Sequence, residues 1–269
     1  MTEHFSRQSF LGPGSESQIT DAVFGIIGLG GGGSHIVQQL AHVGARKFVL
    51  YDPDRVEESN LNRMVGATAE DAKERRAKTA VATRVILGVT KDAEIDLHQA
   101  RWQDEPEGLW RCDVVFGCVD GFSERDQLEA TCRRHLIPYV DIGLDVHVVG
   151  DEPPVMGGQL ILSMPGHRCM RCLGFITDRN LALEASRYGD AGSRPQVVWG
   201  NGILASAAVG IAIDLITDWT RKLRGTVYLE YRGNDPALKP HPRLAGGTIA
   251  APCPHYAAHD VGDPQFVSL

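Results

Sequence analysis

The sequence predicts an α/β fold: a Rossmann-like, mostly parallel sheet with helices on both faces, followed by a smaller antiparallel part. Three observations predict it. Short apolar runs alternate with stretches in which apolar residues recur every three to four positions. A glycine cluster, Gly28-Leu29-Gly30-Gly31-Gly32-Gly33, joins the first apolar run directly to the first helical stretch. Gly28, Asp52 and Asp120 each follow an apolar run, so in a parallel sheet all three converge on one crevice beyond the carboxyl ends of the strands.

In chain order, residues 1–21 are polar, carry Gly12-Pro13-Gly14 and read as an N-terminal arm, with Arg7-Gln8 inside it. Residues 23–27 (VFGII) are the first strand, and Ile36, Val37, Leu40, Ala41 and Val43 mark the inner face of the helix after the glycines. A second strand, KFVLY at residues 47–51, ends at Asp52-Pro53-Asp54. Residues 69–87 read as one charged helix with Ala77, Ala80, Val81, Val85 and Ile86 inward. Strands follow at residues 93–97 and 114–119, the second stopping at Asp120. A helix over residues 123–135 takes Ser123 as its N-cap, with Glu124 and Asp126 complementing its dipole. Residues 138–142 are the next strand. After Gly143, residues 147–149 and 159–163 read as antiparallel strands around the turn Gly150-Asp151-Glu152-Pro153-Pro154. Residues 177–195 have few apolar anchors and read as a mobile loop; a buried helix around 202–219 and a strand at 226–231 close the fold. There is no internal repeat.

Composition sets outer bounds. A chain of 269 residues is one large domain or two small ones, and 43% hydrophobic with 23% charged residues is ordinary for a globular chain. A net charge of −7 argues against a general nucleic-acid or anionic-membrane surface. The opening MTEHFSRQSF has no apolar core, so no signal peptide is expected. The longest charge-free run, residues 195–213, includes Gln196, Gly200, Asn201, Gly202 and Gly210 and reads as a loop and a buried helix, not a membrane span. Six cysteines in this context point to thiols or metal ligands in a reducing cytoplasm, not to disulfides.

The glycine turn opens a helix whose first N–H groups lack intrahelical partners, and glycine lets a phosphate approach the main chain. A nucleotide phosphate is the first hypothesis there, and a ligand-free glycine turn is the alternative. Asp52, 19 residues past Gly33, is placed to accept hydrogen bonds from ribose hydroxyls. Alone, that pair also describes an NAD-dependent dehydrogenase, and a solvated turn aspartate is equally open. Ser59-Asn60-Leu61-Asn62-Arg63 discriminates, because a polyphosphate suits the planar donor fork of Arg63. Lys78 supplies a second cation, although by itself it also reads as a solvated helix charge. Asp120 suits an Mg²⁺ held on phosphates, which uses one or two carboxylates, or else caps the following helix.

With Arg7-Gln8, the glycine cluster, Asp52-Pro53-Asp54, Ser59-Asn60-Leu61-Asn62-Arg63, Lys78, Cys118-Val119-Asp120, Gly158-Gln159 and Cys169-Met170-Arg171-Cys172 in this order, the chain resembles the ThiF/MoeB/HesA family of adenylating enzymes, relatives of the ubiquitin-activating enzymes. The resemblance spans roughly residues 5–255. It implies ATP and Mg²⁺ as cofactors, and adenylation of the C-terminal glycine carboxylate of a ubiquitin-like or sulfur-carrier protein with release of pyrophosphate. By position it gives phosphates to Gly28, Gly30, Gly31 and Gly33, the ribose to Asp52, the polyphosphate to Asn60, Arg63 and Lys78, and the metal to Asp120. It places Arg7 in the active site of the second subunit of a homodimer. It also divides the chain into an arm (1–21), an adenylation domain (22–255) with a nucleotide-binding half (22–143) and a carrier-binding, zinc half (144–255), and a tail (256–269).

Two departures qualify it. Gly121 stands where many relatives carry asparagine. The family's structural zinc uses two CxxC pairs; here Cys169 and Cys172 are intact, but the second pair reads Cys253-Pro254-His255-Tyr256. Tyr256 cannot replace a thiolate, so either His255 or His259 completes a Cys₃His zinc site, or zinc is lost and the thiols are free. Between Cys172 and Cys253 there is no cysteine, which argues against a thioester-forming enzyme. Cys112, beside Arg111, is the least secure of the remaining thiols to exclude. Adenylation of a small molecule or an RNA nucleoside, and a non-catalytic scaffold half of a heterodimer, remain as alternatives.

Overall fold

The computed structural model describes residues 3–148, 150–186, 195–223, 225–235, 237–245 and 253–256. One eight-stranded sheet runs through it in the order β3-β2-β1-β4-β5-β6-β7-β8. Strands β1 (Val23–Ile27), β2 (Lys47–Tyr51), β3 (Glu94–His98), β4 (Val114–Gly117) and β5 (Tyr139–His147) pair in parallel. Strands β6 (Val155–Ser163), β7 (Val227–Arg232) and β8 (Ala237–Pro240) extend the same sheet antiparallel. The order reverses between β1 and β4, and such a switch point opens a crevice at the strand carboxyl ends.

Every second residue of each central strand faces one of two cores. Phe24, Ile26, Phe48, Leu50, Phe116, Val140 and Leu162 meet α2 (Gly31–Val43), α4 (Lys78–Val89) and α7 (Val198–Thr217). Val49, Tyr51, Val115, Tyr139, Ile161 and Tyr228 face α5 (Phe122–Arg134) and the cysteine segment after β6. Helices therefore cover both faces, as the alternating pattern predicts. α7 is long and apolar enough to cross a membrane, yet it packs against α2, β5 and β6 as a core helix, with Leu204, Ala205, Ala208 and Ala212 fully buried.

Several elements differ from the sequence reading. The N-terminal arm is a 3-10 helix (Glu3–Leu11) and an α-helix, α1 (Ser15–Asp21), docked through Phe5, Leu11 and Ile19; three apolar anchors among polar neighbours suffice to hold it. The helix expected over residues 69–87 is two, α3 (Ala69–Lys73) and α4, because Arg75 turns left-handed at φ +49° and Ala77 bridges to Arg55. That break places Lys78 at the first turn of α4. Helix α5 starts at Phe122 after Gly121, and Ser123 is not its cap. Both oxygens of Glu184 accept from its first amides, Phe122 N and Ser123 N, at 2.8 Å each. Glu184 lies on α6 (Asp178–Ser186), so the first part of the expected mobile loop is helical, and residues 187–194 lie outside the described residues. β5 runs across the expected boundary at 143/144, so the two halves share one strand.

Candidate active site and cysteine cluster

A cleft of about 1200 Å³ opens at the switch point and gathers Gly28, Gly30, Gly31, Asp52, Asn60, Arg63, Lys78 and Asp120. The glycines serve it for different reasons. Gly28 sits at φ +86°, and a Cβ there would come 2.6 Å from the Cys118 carbonyl oxygen. Gly30 has nothing within 4 Å of a built Cβ, so its bare backbone faces open cleft. Gly33 lies beneath the turn rather than in the cleft, where a Cβ would stand 1.8 Å from Gly28 O. This close approach gives Gly33 a packing role, which lets α2 press onto β1. Gly33→Ala should therefore destabilise the fold by about 3 kcal/mol or more, above ordinary overpacking, as read by denaturant unfolding.

Asp52 ends β2 almost fully buried. It accepts from Leu29 N at 2.6 Å and Asp54 N at 2.8 Å, which ties the glycine turn to the neighbouring strand. Burial pushes its carboxyl above the usual range, against the opposing pull of Lys78 and the two backbone N–H groups. Lys78 Nζ lies 2.8 Å from Asp54 and 3.8 Å from Asp52. Asn60 is buried at the end of a 3-10 turn (Glu58–Asn60), where its side-chain oxygen accepts from Glu57 N at 3.0 Å. Arg63 is half-buried and, among the described residues, forms no ion pair; its guanidinium donates to Ser59 O and to Asn62 Oδ1. Asp120 is exposed three residues past the end of β4, and among the described residues it makes no hydrogen bond or ion pair, the buried Arg125 acting on it only through space.

The sequence reading missed three features of the cleft. Arg125 on α5 is buried, donates to Asp141 and to Val119 O, and fixes the loop leading to Asp120. Tyr139 donates to the other Asp141 oxygen at 2.9 Å. Trp102 and Gln103 form one wall and belong to no motif. A buried arginine three residues into a polar helix has no signature of its own; its partner lies on another strand.

The second cluster lies behind the sheet. Cys169, Cys172, Cys253 and His255 bring three sulfurs and one imidazole Nδ1 to a common point. Sulfur–sulfur distances are 3.6, 3.4 and 3.3 Å, and Nδ1 lies 3.4, 3.3 and 3.9 Å from the three sulfurs. A tetrahedral zinc with bonds of ~2.3 Å to sulfur has edges of ~3.8 Å, so this donor set and size suit zinc. His259 lies outside the described residues. Tyr256 points away from the cluster: its hydroxyl donates to the buried Glu129 at 3.1 Å, and Arg133 stacks over its ring at 4.8 Å. Glu129 also accepts from Ser163 and from Met170 N, and Arg171 pairs with Asp126 at 2.6 Å, so the whole knuckle is bolted to α5.

One family profile, that of the ThiF family, matches residues 5–243, a span that holds the glycine turn, Asp52, Arg63, Lys78, Asp120 and the Cys169–Cys172 pair. The chain belongs to the ThiF family. It is 30% identical over 176 residues to the sulfur carrier protein ThiS adenylyltransferase of Escherichia coli, covering 63% of this chain and 66% of that protein. It is also 30% identical over 165 residues to the SAMP-activating enzyme E1 of Haloferax volcanii, covering 61% of this chain and 57% of that one. The chain thus spans less than two thirds of the length of either relative. Among solved structures, E. coli MccB with ATP matches at 21% identity and TM-score 0.69, covering 90% of this chain and 71% of that one. MccB with AMPCPP and MccA matches at 20% identity and TM-score 0.72, covering 94% and 74%. These structures share the ThiF-type fold.

Within this ThiF-family chain, Arg7 stands apart from the cleft. It is exposed on the N-terminal 3-10 helix, whose Phe5 packs on Gly44 and whose Gln8 donates to Val43 O, at the far end of α2 from the glycine turn. Burial pushes Cys112 up to about 12 despite Arg111, and raises Cys118 and Cys132 as well.

Proposed function

We propose that this chain uses ATP and Mg²⁺ to adenylate the C-terminal glycine carboxylate of a ubiquitin-like or sulfur-carrier protein, releasing pyrophosphate, without a covalent cysteine intermediate. The observation that carries it is the meeting of an unengaged carboxylate, Asp120, with Arg63 and Lys78 across a glycine turn in one cleft. Nucleotide phosphates fit the bare backbone at Gly28, Gly30 and Gly31, and Asp52 retains free lone pairs toward a ribose hydroxyl. A carboxylate oxygen attacks the α-phosphorus, the bond from that phosphorus to the bridging oxygen breaks, and pyrophosphate leaves with the electron pair. Both reactants are anionic, so the residues needed are cations, not a base. Arg63 and Lys78 offset the charge, Lys78 exchanging Asp54 for phosphate. Magnesium, when bound, supplies charge neutralisation on the phosphates, and Asp120 is the residue that would hold it.

The knuckle is assigned to a structural zinc held by Cys169, Cys172, Cys253 and His255. Arg7 is assigned to the neighbouring active site of a homodimer, since the far end of α2 keeps it from its own. Mixing inactive Arg7→Ala with inactive Asp120→Ala subunits should restore activity to a fraction of dimers; no recovery despite proven subunit exchange would refute the shared site. The test of the main reading is ATP–pyrophosphate exchange with carrier proteins ending in Gly-Gly. Exchange that needs the carrier's free C-terminal carboxylate supports the reading, whereas exchange with small acids or RNA alone refutes the carrier assignment. A thiol-sensitive carrier adduct lost in Cys112→Ala, together with turnover, would refute the cysteine-free mechanism.

A further inference from the structure

We propose that Glu184 is a positioning residue that couples the docking of α6 to the placement of Asp120; the proposal rests on the reading of Asp120 as the metal-holding carboxylate. Helix α5 begins directly after Asp120-Gly121, and its N-cap, Gly121, has no side chain to satisfy the first N–H groups. Those at Phe122 and Ser123 are instead taken by the two carboxylate oxygens of Glu184, from 62 and 61 residues downstream. The glycine makes this approach possible. A Cβ at position 121 would stand 3.0 Å from Glu184 Oε1, so the carboxylate occupies the space a side chain would fill.

The anchor matters to both sides of the contact. Helix α6 has no buried residue, and its N-terminal half is held by Asn180 on Phe175 O and by Asp178 on Arg171. Among the described residues, Glu184 makes the only hydrogen bonds from the C-terminal half of α6 to another element. On the other side, Asp120 hangs between β4, fixed by its neighbours β1 and β5, and the first turn of α5. Gly121 is the covalent link and lends no rigidity of its own, while Arg125 ties Val119 O, one residue before Asp120, to α5. With Glu184 in place the first turn is closed and the carboxylate of Asp120 keeps its position opposite Arg63 and Lys78. With Glu184 withdrawn two amides lose their acceptor, the turn frays, and Asp120 loses its fixed bearing.

The experiment compares wild type, Glu184→Ala and the double variant Glu184→Ala/Gly121→Ser. The serine supplies a cap from within the chain, at a position whose φ of −91° and ψ of 143° suit one. Two quantities are read: hydrogen exchange of the Phe122 and Ser123 amides, and the Mg²⁺ concentration giving half-maximal ATP–pyrophosphate exchange. In Glu184→Ala the amides should exchange about tenfold faster or more and the Mg²⁺ requirement should rise about tenfold, while kcat at saturating Mg²⁺ stays within about threefold. The serine should restore both. Unchanged amides in Glu184→Ala overturn the proposal, as does an unchanged Mg²⁺ requirement, which would leave Glu184 an ordinary cap. Restored amides with an unrestored Mg²⁺ requirement also overturn it, since Glu184 would then act by its own charge. Were the wild type inactive in exchange, the adenylation reading would fail, while Mg²⁺-dependent ATP binding by calorimetry on the same three proteins would still decide the role of Glu184.

Discussion

Asp120→Ala should lower ATP–pyrophosphate exchange by about 100-fold or more while leaving the thermal midpoint within about 1 °C of wild type. The size follows from the chemistry. An acyl carboxylate approaching a polyphosphate is opposed by like charge, and losing the group that holds the neutralising metal removes stabilisation where charge develops. The neutral effect on folding follows from the structure, because Asp120 is exposed and, among the described residues, bonded to nothing. Asp120→Asn should behave almost as badly, since an amide keeps the shape but not the charge. Exchange within a few-fold of wild type in both variants would refute the metal role.

Cys172→Ser should remove one equivalent of zinc per chain and cost about 3 kcal/mol, which for a chain of this size is roughly 6–12 °C in Tm. Cys169 and Cys172 come from one short loop, whereas Cys253 and His255 return from more than eighty residues later, so the ligand set closes a long loop that the unfolded chain leaves open. Stripping the metal with a chelator should lower Tm by a similar amount in wild type and hardly at all in Cys172→Ser. His255→Ala separates the two candidate fourth ligands: full zinc retention there would move that role to His259. Metal content by elemental analysis checks each case.

What the sequence disclosed depended on how local each signal was. The strands β1 and β2 are short apolar runs ending in chemistry-bearing residues and lie where the sequence places them, whereas β4, expected over residues 114–119, stops at Gly117. So does the cleft, because parallel topology leaves Gly28, Asp52 and Asp120 no other end of the sheet. The break between α3 and α4 escaped because Arg75 carries no glycine or asparagine signature for its left-handed turn. The caps escaped for the opposite reason. Ser123 is a good local candidate, but a glutamate far along the chain takes its amide. Arg125 and Asp141 were invisible as a pair, since each is an ordinary charge until the fold buries both. Gly33 illustrates a subtler limit: the glycines of one motif look alike in sequence, and only the distance to Gly28 O reveals how closely Gly33 packs under the turn.

The order of the sheet also bears on how copies of this chain can associate. Among the described residues its two margins are β3, with Glu94, Asp96 and His98, and β8, which ends at Pro240. Proline has no N–H to offer an incoming strand, and at the other margin a charged cluster, Glu94 with Asp96 paired to Arg111 and His98, makes an edge that an incoming strand must desolvate. Among the described residues, both features oppose edge-to-edge growth of the sheet, a route to aggregation.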